Sequence, residues 1–279
     1  MPFLQKADYP GPYDGRGIPL LDYQGSLGRQ YNPIAIAQFG LGNFNAFRRS
    51  GQAERWEKFL AVADWLVSNL ELNRAGLRVW NHHFDWEYRT TLRGPWQSAL
   101  AQSQGISVLV RAYDETRNDI YLDSARSAFE AFRKTTDEGG MVYVDKRGDP
   151  WLEEYIVSPP THILNGFVWA TWGVYDYWLT TADDGARKLF AVSVDTLRRN
   201  LERYDAGFWS LYELAGTKLK MLASPFYHRL HIIQLGVLHK LTGQDLFAQY
   251  AAKWSAYRKK ALNRNAALIY KSAFKLLYY

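Results

Sequence analysis

The chain has 279 residues and no Cys, which is length enough for one large core and excludes disulfides, thiolate metal sites and cysteine nucleophiles. Its 34 Lys and Arg against 28 Asp and Glu give a net charge of +6, which favours acidic partners. The basic residues are dispersed apart from Arg258-Lys259-Lys260, which argues against a nucleic-acid arm.

Residues 1–30, rich in Gly, Tyr and Pro, read as an arm over the domain that follows. The opening Met1-Pro2-Phe3-Leu4 lacks the basic-then-apolar order of a secretion signal, which makes a cytoplasmic location the default. No apolar run approaches the ~18 residues of a membrane span. Aromatics make up 16% of the chain, with 11 Trp and 19 Tyr. Most belong in the core, but any that line a groove can stack on sugar faces.

From residue 31 onward one layout recurs. Segments opening at Tyr31, Pro95, Pro160 and Tyr227 each run into an apolar stretch holding one amide, Gln38, Gln102, Asn165 or Gln234. The amides stand 64, 63 and 69 residues apart, a period that predicts repeated helical hairpins. The spacing predicts inner helices near 33–48, 96–113, 161–178 and 228–241. Amphipathic outer helices are expected near 53–70, 121–134, 186–203 and 245–257. In the first of these Trp56, Phe59, Leu60, Ala63 and Leu66 form a single apolar stripe. Gly-led, aromatic, strand-like pieces at about 77–88, 140–144 and 207–213 precede the last three inner helices. Together these predict a mainly α fold over 31–279, an α/α barrel of about four hairpins with strand inserts at one rim. An open α-solenoid is the alternative.

Ionisable groups gather at the mouths of two inner helices. Glu153, Glu154 and Tyr155 precede Pro159-Pro160, and Tyr212 and Glu213 precede Tyr227-His228. That is where a concave catalytic site is built. Taken singly, each has a plainer reading: Glu153-Glu154 as a solvated loop pair, a lone Tyr as packing. His228 and His231 lie three apart, but without a third ligand they read as hydrogen-bonded rim residues, so no metal is expected. Gln97, Gln102 and Asn165 suit sugar hydroxyls or ties between helices equally. Arg89 and Arg93 suit a substrate carboxylate or the surface. Asp85 and Glu87 are too close on one strand face to flank a glycosidic bond.

Read in order, several segments resemble the C-terminal α-helical domain of the D-glucuronyl C5-epimerases, which act on heparosan-type polysaccharide. The matching segments are Tyr31-Asn32-Pro33, Trp96 to Gln102, Ile106 to Tyr113, Trp151 to Tyr155, Leu164-Asn165-Gly166-Phe167, Gly173 to Asp176, Tyr204-Asp205, Tyr212, Tyr227-His228, His231, Gln234 and Lys253 to Tyr257. The resemblance runs from about residue 29 to 258. It implies an isomerase that inverts C5 of D-glucuronate residues, toward L-iduronate, by proton removal and return, with no cofactor. It also implies that Glu154, Tyr212 and Tyr227 are catalytic, with Glu154 and Tyr227 as the opposed pair. Tyr155, Trp96, Gln97, Gln102, Asn165, His228, Arg89 and Arg93 are then the substrate-binding candidates. The expected partner is an anionic glycan containing uronic acid, and a homo-oligomer stays open. Two departures stand out: the β-rich region ahead of this domain in the animal enzymes has no counterpart in the sequence, and Ala215 stands where the family pattern has Arg. A uronate lyase and a non-catalytic glycan-binding barrel are the competing readings.

Overall fold

A computed structural model describes residues 4–278, and it is mainly helical. Four hairpins follow one another: α2 (Pro33–Ser50) with α3 (Ala53–Ser68), α4 (Ala99–Thr116) with α5 (Asp119–Phe129), α6 (Leu164–Thr181) with α7 (Asp184–Asn200), and α8 (Pro225–Thr242) with α9 (Asp245–Lys259). In each the first helix is inner and the second outer. The inner helices pack in sequence, α2 on α4, α4 on α6 and α6 on α8, and residues of all four line one axial cavity. This is the α/α barrel with strand inserts that the repeat predicts.

Local chemistry fixes the helix ends. Asn32, Ser98 and Ser224 each accept a backbone N–H at the start of an inner helix, and Pro33 and Pro225 supply fixed-φ first turns. The third inner helix, α6, has no capping side chain at Ile163. Its first N–H, on Leu164, instead donates to the carbonyl of Tyr212 (3.0 Å), and Leu214 N–H donates to Thr161 O (2.7 Å). The mouth of α6 is therefore laced to the 211–214 segment. Where α4 and α6 cross, a Cβ at Gly173 would lie 2.4 Å from Ser103 Cβ, so only glycine permits this approach.

Three of the four marker amides are buried and tie the barrel together. Gln102 donates to Arg78 O (2.9 Å) and Ala128 O (2.8 Å) and accepts from Trp80 N–H (3.2 Å). Gln234 donates to Asn165 O (3.0 Å), and Asn165 reaches Glu154. Gln38 is only half-buried.

Strands are short and antiparallel. A hairpin of β1 (Leu21–Tyr23) and β2 (Gly28–Gln30) belongs to the N-terminal segment. That segment also carries α1 (Leu4–Ala7), which packs on α2 and is pinned by Arg55 through Ala7 O and Asp8. Six two-residue strands follow: β3 (Glu71–Leu72), β4 (Arg78–Val79), β5 (Asn81–His82), β6 (Trp86–Glu87), β7 (Thr91–Leu92) and β8 (Trp96–Gln97). They pair as β3–β4, β5–β8 and β6–β7. The next pair is β9 (Val142–Val144) with β10 (Pro150–Leu152). The strand expected at 207–213 forms only isolated bridges, Asp205 to Ser210 and Leu211 to Leu222. Its backbone donors diverge: Ser210 N–H goes to His228, Leu211 N–H to Tyr204 O and Tyr212 N–H to Met221 O. Pairing of β8 with β5 and the Ser98 cap delay the second inner helix from the expected 96 to 99. A final amphipathic helix, α10 (Ala261–Tyr278), packs on α9 and was not foreseen from the sequence. Among the described residues no helix is long and apolar enough to cross a membrane.

Candidate active site

Glu153 and Glu154 follow β10 directly, and the chain turns them into different surroundings. Glu153 faces His162: Oε1 lies 2.5 Å from His162 Nδ1, and Oε2 accepts the His162 backbone N–H (3.2 Å). Trp151 stacks on that imidazole at 4.2 Å, and the Tyr204 hydroxyl donates to His162 O (2.6 Å). Glu153 is a satisfied, buried structural group.

Glu154 is buried with far less support. Among the described residues its one hydrogen-bond contact is Asn165 Nδ2 at 3.4 Å, from the first turn of α6. Burial, reinforced by the adjacent Glu153 charge, pushes its carboxyl up to about 8. The space it occupies exists because residue 166 is glycine, since a Cβ there would fall 2.2 Å from Glu154 Oε2. The available sequence signal was Asn165-Gly166 within an apolar helix: Asn165 read as a substrate-binding candidate and Gly166 as part of the family match, but neither pointed to room for a carboxyl.

Tyrosines surround this carboxyl. Tyr212 and Tyr227 meet edge to face at 5.0 Å, and Tyr88, Tyr155 and both of these pack in one cluster over Ile163 and Ala223. Burial raises the phenols of Tyr155, Tyr212 and Tyr227, and the Glu154 charge adds to each; at Tyr227 the hydrogen bond with the Tyr212 hydroxyl partly offsets this. All three are neutral donors near neutral pH. Tyr212 is almost wholly buried, whereas Tyr227 keeps partial exposure on the first turn of α8.

The remaining candidates divide. Arg89 is not free for a substrate: its Nε donates to the buried Glu213 carboxylate (2.7 Å), its Nη2 makes a second bond, and the Tyr88 hydroxyl donates to the same carboxylate. Sequence reasoning missed Tyr88 and the task of Glu213, because the partners lie more than a hundred residues apart. Arg93 is exposed and paired with Asp85. Asp85 is also held by Gly94 N–H and Glu87 by Thr91, so neither faces the other across a gap.

Trp96 stacks on His82 at 3.7 Å, donates to Phe84 O and touches Tyr155 edge-on at 5.7 Å. Gln97 bonds Gly139 O (2.8 Å) and Asn73 (2.8 Å), and Gln102 is spent on the backbone as described. His228 accepts Ser210 N–H at Nδ1 and meets Trp254 O at Nε2 (3.0 Å), beneath Trp209. Burial lowers His228 to about 4 and His231 to about 3, so both are neutral and built into the packing. Among the described residues no group of His, Cys, Asp or Glu is arranged to hold a metal ion.

Beside the tyrosines lies a cavity of about 330 Å³ lined by Glu213, Ala215, Gly216, Met221 and two cations, Arg203 and Lys220. Both cations are exposed, and Arg203 Nη1 donates to Asn200 (2.6 Å). The small side chain at 215 is thus part of an open wall with positive charge nearby.

The family described as D-glucuronyl C5-epimerase C-terminus matches residues 75–256. An uncharacterised protein of Methanocaldococcus jannaschii is 28% identical over 275 residues, 91% of this chain and 88% of its own length. The D-glucuronyl C5-epimerase of Caenorhabditis elegans is 31% identical over 214 residues, 71% of this chain but 34% of the nematode protein, so the match spans about a third of that enzyme. In three dimensions the chain is similar to a sugar epimerase from a ruminal bacterium, with a TM-score of 0.60 and 14% identity, over 83% of this chain and 60% of that one. That likeness speaks to the fold. Family and fold together support a function of the carbohydrate-epimerase type.

Proposed function

The chain belongs to the D-glucuronyl C5-epimerase C-terminal family, and from that premise we propose that it inverts C5 of glucuronate residues in an acidic glycan. The observation that supports this best is Glu154, a desolvated carboxyl raised to about 8 and ringed by three protonated tyrosines at the mouths of α6 and α8. Epimerisation alpha to a carboxylate needs one group to take the C5 hydrogen and another to return one to the opposite face. Ionised Glu154 is the base, and burial makes it a stronger one than an ordinary carboxylate. Tyr227, half-exposed and neutral, is the donor on the other face. Tyr212 donates to the enediolate oxygen that develops between these events. One turnover leaves Glu154 protonated and Tyr227 ionised; the proton returns through solvent or along the Tyr212–Tyr227 contact before the next.

The substrate carboxylate is assigned to the cavity beside Ala215, where Arg203 and Lys220 supply positive charge. Without the planar fork of an Arg at 215, recognition there is less directional. Binding should therefore weaken as salt rises, because exposed charges are screened over about 8–10 Å at physiological ionic strength. The test is incubation of heparosan-type glucuronate polymer in deuterium oxide. Deuterium at C5 with formation of the second epimer is expected, whereas an unsaturated uronate product would identify a lyase and no exchange a glycan-binding barrel.

A further inference from the structure

The axial cavity is a second chamber, separate from the tyrosine cluster. It measures about 220 Å³ and is lined from the middle and C-terminal parts of all four inner helices, with Leu41 on α2 and Val237 on α8 as its apolar walls. Glu154, Tyr212 and Tyr227 stand instead at or before the N-terminal ends of α6 and α8. Nothing in the proposed epimerisation uses this chamber.

Its polar groups are unspent. Gln104 is 2% exposed, lines the chamber, and neither its Oε1 nor its Nε2 has a hydrogen-bond partner among the described residues. Trp172 Nε1, on the facing helix, is likewise buried without one. Leaving such groups unmade is costly, so a fold that keeps an amide acceptor, an amide donor and an indole donor around one hollow is built to have them met. The charged lining is already neutralised. Arg111 holds Asp176 through two bonds of 2.7 and 3.1 Å, and Ser107 donates to the same carboxylate (2.6 Å). Trp169, Trp172 and Tyr175 supply aromatic surface.

A closed ion pair disfavours a charged guest. Aromatic faces with an amide and an indole N–H suit a ring carrying several hydroxyls. The size agrees: the chamber is an order of magnitude larger than the ~10–15 Å³ one water needs, and below the ~300 Å³ at which drug-sized sites begin. Asn45, Arg111, Tyr175 and Leu241 keep partial exposure, which gives the chamber a mouth. We infer that this chamber is a binding site for a single neutral sugar ring, held by Gln104 and Trp172 between the four inner helices.

The test titrates glucose, galactose, mannose, N-acetylglucosamine and, as the charged control, glucuronic acid into the full chain, reading saturation-transfer NMR and tryptophan fluorescence. At least one of the neutral sugars should bind saturably. Gln104→Leu should weaken it tenfold or more while leaving the melting temperature unchanged or higher, because an unpaired amide is removed. Trp172→Phe should weaken it several-fold, and Glu154→Gln should leave it unaltered. If Gln104→Leu fails to fold, Trp172→Phe decides. Saturation by none of these sugars, binding that survives Gln104→Leu, Trp172→Phe that binds like the parent, binding lost only in Glu154→Gln, or saturation by glucuronic acid alone would each overturn the assignment. Failure of C5 exchange at the tyrosine site would leave it standing, since the two sites share no residue.

Discussion

The mouths of α4 and α6 occupy equivalent places in the repeat and are finished in opposite ways. At the mouth of α4, Trp96, Gln97 and, in the helix's first turn, Gln102 are bonded to backbone carbonyls, and His82 is held neutral at about 3 by burial beneath Trp96. Before α6, Glu154 has a single long contact among the described residues, its carboxyl is raised to about 8, and its charge helps to raise the phenols of Tyr155, Tyr212 and Tyr227. One mouth spends its polar groups on the fold; the other leaves its carboxyl poised. Glu153 and Glu154 repeat the contrast within two residues, one satisfied by His162 and the other not. What distinguishes a site in this barrel is unsatisfied ionisable chemistry where the repeat would otherwise seal itself.

The comparison breaks most visibly at Glu154 and Tyr227. Glu154→Gln and Tyr227→Phe keep shape and remove the proton-transfer group, so turnover should fall by ~10²–10⁴-fold, with KM nearly unchanged. Measured C5 exchange that survives both substitutions would assign the chemistry elsewhere, first to Tyr212. Next comes Gly166→Ala. Alanine ordinarily strengthens a helix by about 1 kcal/mol, but here the new methyl would fall 2.2 Å from Glu154 Oε2 and displace the carboxylate. Misplacement near 1 Å costs on the order of 10²-fold, so activity should drop about that much, and because Glu154 Cβ would also lie 2.7 Å from the new methyl the melting temperature should fall as well.

The α4 mouth should respond in the other way. Gln102→Leu leaves Trp80 N–H without its acceptor in the interior, at roughly 1–3 kcal/mol, and removes a donor from Ala128 O and from the part-buried Arg78 O. Thermal melts should show the domain several degrees less stable, with kcat of the folded fraction unaltered. A Gln102→Leu protein of parental stability but impaired turnover would erase the distinction between the two mouths.

Much of this architecture is legible in the chain because it rests on period. Amides at a near-constant spacing and apolar stripes located all eight barrel helices to within a few residues. The strand expected at 207–213 failed because strand pairing depends on a partner, and here the donors of Ser210, Leu211 and Tyr212 find three different ones. Arg258-Lys259-Lys260, read only as a basic cluster, marks the joint between α9 and α10. At the site, sequence could group Glu154, Tyr212 and Tyr227, but not separate Gln102 from Asn165. A buried amide tying helices and one facing a ligand have the same neighbours in sequence. The Arg89–Glu213 pair was hidden for the same reason, since a clamp for a substrate and a clamp for a distant protein carboxylate differ only in tertiary contacts.

The last contrast is read in pH, where Glu154 and the buried histidines act with opposite signs. A carboxyl raised to about 8 makes the folded state hold a proton that the unfolded chain releases near 4.5. The folded state then binds more protons across that interval, so Glu154 subtracts stability progressively from about pH 4.5 to 8 and by a constant amount above. His82, His228 and His231, lowered by burial to about 3, 4 and 3, act the other way. Their unfolded forms take up protons first, so their contribution is whole above about pH 6.5 and is lost as pH falls toward 3. The two trends overlap between 4.5 and 6.5, where a melt of the parent protein alone cannot separate them. Glu154→Gln separates them, since the histidines are common to both proteins and cancel in the difference. The variant's melting temperature should match the parent's near pH 4.5, rise above it steadily to about pH 8 and then hold a constant advantage. A difference that stays flat across that range would mean Glu154 is solvated like an ordinary surface carboxylate, and the contrast between the two mouths would lose its physical basis.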